Sequence, residues 1–133
     1  MNERIRSILV NGTAIACLCL LIFAAGTWWR MATQLALGEE AFRRGDFTAA
    51  VAGYESAIHM YIPFHPAMQR AAQQLWSIAE ANERLGDVNR ALIAYRALRS
   101  SFYAARWLTT PGREWIARCD GRIAALVPLL RER

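Results

Sequence analysis

Lysine is absent from this chain. All 16 basic residues are arginine, set against 11 acids for a formal net charge of +5. Compositional bias is the simplest reading of that choice. Cysteine is scarce: Cys17 and Cys19 lie in one apolar stretch, and Cys119 sits far downstream. No even, spaced framework exists, which excludes a disulfide scaffold. His59 and His65 are the only histidines, and Glu55 is the only acid near them. A metal ion needs three or four donors, so both read as loop histidines rather than ligands. There is no glycine-rich loop to cradle a phosphate. Ser56, Ser77, Ser100 and Ser101 have no nucleophile-elbow context. No enzyme, metal or cofactor is therefore expected. Strand-type alternation is also missing, which leaves an all-α fold.

Charge is missing from one long stretch as well. Residues 7–29 are 23 uncharged residues, from Ser7 to Trp29. As a helix they span about 35 Å, enough for a hydrocarbon core of about 30 Å. Trp28 and Trp29, followed by Arg30, have the form of an interfacial anchor. The expected division is a short tail and transmembrane helix over residues 1–30, then a helical domain over 31–133. A cleaved signal peptide is the rival, with Ala24 and Gly26 placed before a cut ahead of Thr27. Against it, the apolar run continues through both tryptophans. A lipid anchor at Cys17 is weaker still, because apolar residues follow it. Arg4 and Arg6 on the short N-terminal side favour a bacterial inner-membrane protein with its domain in the periplasm.

Beyond Arg30 the apolar residues recur at steps of three and four. The spacing predicts helices over about Met31–Arg44, Phe47–Tyr61, Pro66–Leu85, Val88–Trp107 and Gly112–Leu130. The first follows the span with no linker and turns Leu35, Leu37, Ala41 and Phe42 inward. The third turns in Met68, Leu75, Ile78, Ala79 and Ala81, and the fourth Val88, Leu92, Tyr95, Leu98, Phe102 and Tyr103. Arg44-Gly45-Asp46 stops one helix and starts the next, with Gly45 taking a positive φ and Asp46 capping. Gly86-Asp87 repeats it. Thr110 is the expected N-cap of the last helix, with Pro111 in its first turn, and Pro128 frays its end.

The two hairpins resemble each other, and both resemble the tetratricopeptide repeat family. The first copy carries Leu37-Gly38, Phe42, Gly45-Asp46-Phe47, Ala50, Tyr54 and Ala57. The second carries Ile78-Ala79, Gly86-Asp87, Ala91 and Tyr95. It departs from the family pattern at Asn82, Val88 and Leu98. The Gly-Asp turns lie 41 residues apart, against a family period of about 34. The resemblance covers about half of the chain. It implies two hairpins with a last helix as cap, and a concave surface lined by the first helix of each pair. Carried over by position, that surface is Leu35, Glu39, Phe42 and Arg43 with Trp76, Glu80, Glu83 and Arg84.

The implied role is a membrane-anchored, non-catalytic interaction module or scaffold that binds a peptide or helix. The alternative is a small accessory single-span subunit of a larger respiratory or ion-driven membrane complex, held through small residues of its span such as Ala24 and Gly26. A second candidate surface is the arginine set Arg96, Arg99, Arg106, Arg113, Arg118 and Arg122. These residues are dispersed and match no nucleic-acid motif, so lipid headgroups suit them better than RNA or DNA.

Overall fold

The computed structural model describes residues 2–63 and 65–132. They form five helices: α1 (Glu3–Arg43), α2 (Phe47–His59), α3 (Pro66–Arg84), α4 (Val88–Ala104) and α5 (Arg113–Arg131). There is no strand among the described residues. The first domain helix follows the apolar stretch with no linker, as the sequence leads one to expect, and the two are a single element. α1 is one helix of 41 residues, about 60 Å long. Its N-terminal part is apolar and long enough to cross a membrane, and none of that stretch is buried against the rest of the chain.

Two turns set the layout, and they are copies of each other. Gly45 N–H donates to Phe42 O and Asp46 N–H to Ala41 O; Gly86 N–H donates to Glu83 O and Asp87 N–H to Asn82 O. Both glycines hold a positive φ, 75° and 76°. The Asp46 carboxylate then accepts from Ala49 N–H, and Asp87 from Arg90 N–H, each at 3.0 Å. Local chemistry alone fixes these reversals, so each helix folds back on the one before it.

Each helix packs on the next, and in addition α1 touches α3 and α2 touches α4. The result is two layers, with α1 and α3 in one and α2 and α4 in the other. α5 packs on α4 and reaches α3 through side chains. The core runs through both layers. Tyr54, Ile58, Leu75, Leu92, Tyr95, Leu98 and Phe102 are its large members, spaced among Ala50, Ala57, Ala71, Ala72, Ala79, Ala91 and Ala94. Alanine lets helices approach, and the aromatics fill the gaps between hairpins. α1 and α2 approach closely where Gly53 faces the Gly38 backbone.

Several expectations are corrected. Leu37, Phe42 and Tyr103 are exposed, as is Ala81, while Met31 is fully buried. α4 ends at Ala104, three residues short of Trp107. Trp107 and Leu108 find no core to pack on, and the helix gains nothing by including them. Thr110 does not cap α5. Gly112 does, at φ 69°, where a Cβ would fall 2.2 Å from the buried Phe102 ring. Pro111 therefore lies outside the helix. Pro128 does not fray α5, which continues to Arg131. Leu126 is buried, and Val127 and Leu130 pack partly on the core. That packing outweighs the hydrogen bond that a proline removes.

Candidate interaction surface

The layer of α1 and α3, extended by α5, carries all eight groove residues expected from the sequence. Side-chain pairs hold the layer together. Arg70 on α3 meets Glu39 on α1 at 2.8 Å. Trp115 on α5 donates its Nε1–H to Gln69 on α3 at 3.0 Å. Glu83 on α3 forms an ion pair with Arg122 on α5 and accepts from the Tyr95 hydroxyl at 3.0 Å. Burial, with the nearby Glu80 carboxylate as a lesser cause, pushes the Tyr95 hydroxyl up to about 12. It stays protonated and donates to Glu83.

Trp76 stands at the centre of the α3–α5 joint. Tyr95 meets it edge-on at 4.9 Å, and the Trp115 ring lies 6.0 Å away. The Arg118 guanidinium covers both indoles, 4.2 Å from the Trp76 ring centre and 4.7 Å from that of Trp115. A cation over two aromatic faces is held by their quadrupoles. Trp76 is thus half-buried in an internal joint and not an open anchor.

The remaining groove residues gather in two places. Glu80, Glu83 and Arg84 line one depression with Arg122. Phe42, 53% exposed, lines another of about 170 Å³ with Gly45, Asp46, Phe47, Ile78, Ala81, Asn82 and Arg90. This second hollow lies between the first turn and the facing side of α3, and Arg90 on α4 stands over the Phe47 ring and pairs with Asp87 at 3.6 Å. Leu35 is half-buried on α1, and Arg43 is exposed and paired with Glu40. The eight residues share a layer but do not form one continuous groove.

The expected basic surface is also divided. Arg99 is paired with Asp120 at 2.9 Å. Arg118 and Arg122 are taken by the α3–α5 joint. Arg106 lies over Tyr103 and shares a depression with Arg113, and Arg96 is exposed. Cys119 is buried, and desolvation raises its thiol to about 12, far from the thiolate a nucleophile needs.

Three residues were misread or passed over in the sequence. His59 belongs to the last turn of α2, and His65 is buried as the N-cap of α3. Its Nδ1 accepts from Ala67 N–H at 3.0 Å, and its ring lies 3.8 Å from that of Trp28 on α1. A histidine directly before a proline at a helix start was the available signal. Burial lowers the His65 pKa from its ordinary 6.5, and only neutral Nδ1 can accept. This contribution to stability is full above pH 6.5 and is lost as the pH falls from there through the lower folded value. Chemical unfolding of the detergent-solubilised chain between pH 7.5 and 5 should show the loss. His65→Asn, which keeps an acceptor at the cap, should flatten the slope. Gly53 was passed over as well, although it lies three residues after Ala50 and four before Ala57, on their face. No protein-family model, curated protein or solved structure matches this chain.

Proposed function

We propose that this chain is a membrane-anchored, non-catalytic helical-repeat module of the tetratricopeptide kind, whose α1–α3 face takes a segment of another protein. Its support is the pair of copied turns, the two-layer stacking and the run of α1 from the apolar stretch into the stack. The observation that carries the binding role is the hollow between the Gly45-Asp46 turn and α3, with half-exposed Phe42 on one wall and Arg90 on another. An aromatic wall beside a cation suits a peptide or helix that offers an apolar and an acidic side chain.

A photo-crosslinking residue at position 42 tests this in native membranes, with position 93 on the opposite layer as control. Ile93 is similarly exposed, at 51%. A discrete adduct from position 42 and none from 93 is expected. Phe42→Ala should weaken partner binding by at least about tenfold, the size of an aromatic anchor's loss. Adducts of equal yield at both positions would sink the reading. The intact mass of the purified protein shows whether residues 1–30 remain.

One observation favours the accessory-subunit alternative. The apolar stretch of α1 is bare of contacts within the chain, and a Cβ at Gly12 or Gly26 would meet nothing within 4 Å. In that case the chain co-purifies at a fixed ratio with integral membrane subunits, and Gly26→Leu breaks the association while Phe42→Ala spares it.

A further inference from the structure

α1 leaves its apolar stretch at Trp28-Trp29-Arg30, and the Trp28 ring touches His65 at the start of α3. The first turn of α5 is level with the first turn of α3, because Trp115 hydrogen-bonds Gln69. α4 folds back along α3, so its C-terminus is at this same end. The connection from α4 to α5, residues 105–112, is therefore held at the level where α1 leaves its apolar stretch. At its tip Trp107 is 89% and Leu108 84% exposed, the highest values among the exposed large apolar side chains. Arg106 and Arg113 flank them and line one depression with Thr110 and with Asp120, whose carboxylate is already paired with Arg99. Glu114 is the single acid between residues 105 and 119.

Isolated exposed apolar residues are ordinary on protein surfaces. Two adjacent ones at a loop tip are a different matter when they sit between arginines at the height of an interfacial tryptophan pair. Tryptophan favours headgroup depth, where its ring is in the apolar layer and its N–H stays hydrated. Arginine beside it suits lipid phosphate.

We propose that the Arg106-Trp107-Leu108 tip is a second membrane contact. Trp107 and Leu108 enter the interfacial layer of the leaflet from which α1 emerges, and Arg106 and Arg113 meet its phosphates. The proposal rests on α1 crossing the bilayer. A single rod leaves the domain free to roll about its own axis, and a second contact off that axis stops the roll.

The test uses the full chain in phosphatidylcholine–phosphatidylglycerol vesicles, with and without brominated acyl chains. The emission lost in Trp107→Phe isolates the Trp107 signal. That variant leaves the fold intact, since Trp107 contributes nothing to the core. In plain vesicles the signal should lie to the blue of its position in water. In brominated vesicles it should fall roughly twofold, as for a ring at headgroup depth. Arg106→Gln with Arg113→Gln should reduce that quenching. A Trp107 signal that is water-like and unquenched, from protein that floats with the vesicles, overturns the proposal. It would leave the tip for a protein partner. Protein that fails to float overturns the anchoring by α1 itself, a separate result.

Discussion

Replacing Gly53 with alanine should destabilise the fold by about 3 kcal/mol, at the upper end of what overpacking costs. In an exposed helix the same change would stabilise by up to about 1 kcal/mol, because glycine is the poorer helix former. Geometry reverses the sign. A Cβ at Gly53 would lie 2.6 Å from Gly38 Cα and 2.7 Å from Gly38 N, with Gln34 O at 3.2 Å. These are backbone atoms, so no rotamer change relieves the clash. Nor can α1 and α2 move apart without loss, since Tyr54 packs on Gly38 and is only 1% exposed. Urea unfolding followed by circular dichroism measures the loss. Gly121→Ala is the control, because nothing lies within 4 Å of its Cβ. It should gain about 0.5–1 kcal/mol. Equal behaviour of the two variants would mean that the crossing is not tight.

Removing α5 should cost more than any point substitution. Ile116, Cys119 and Leu126 are buried, and Trp115, Ile123, Val127 and Leu130 are partly so. At about 1.5–3 kcal/mol per fully buried large side chain, these contacts come to something on the order of 10 kcal/mol. That is an upper figure, since a chain without α5 is spared the entropy of ordering it. It still rivals the whole stability of a small domain, about 5–15 kcal/mol. Truncation also strips Trp115 and Arg118 from Trp76 and takes Arg122 from Glu83. A chain ending at Gly112 should keep helical circular dichroism yet lose cooperative unfolding. Amide protection in α3 and α4 should fall to that of a fraying helix. Retained protection there would show that the two hairpins stand without their last helix.

Much of this fold was legible in the sequence because its determinants are local. Steps of three and four located every helix, and Gly45-Asp46 and Gly86-Asp87 located both copied turns. Errors fell where local preference met tertiary packing. Pro128 reads as a stop, but the core holds α5 beyond it. Trp107 reads as helical, but nothing is there to bury it. The surface was harder to read. The joint of Trp76, Trp115 and Arg118 brings together residues some forty positions apart, and no periodicity encodes that distance. Trp76 on its helical face looks the same whether it waits for a partner or is already covered. The pairing of Glu83 with Arg122 and of Trp28 with His65 was hidden for the same reason.

The absence of any break in α1 has a mechanical consequence. α1 runs unbroken from Glu3 to Arg43 and contains no proline, the commonest cause of a sharp kink, so the part beyond Arg30 follows the rest of the helix. A tilt about the middle of the apolar stretch is carried undiminished to the turn at Gly45, about 40 Å away at 1.5 Å per residue. Leaning α1 by about 10°, well inside the usual spread for membrane helices, displaces that turn by about 7 Å. With α1 across a bilayer, the arrangement proposed for this chain, the stack would move like the needle of a gauge whose bearing is the membrane. A change in membrane thickness, or a neighbour that leans on the span, would be reported as a displacement of the hollow beside Phe42.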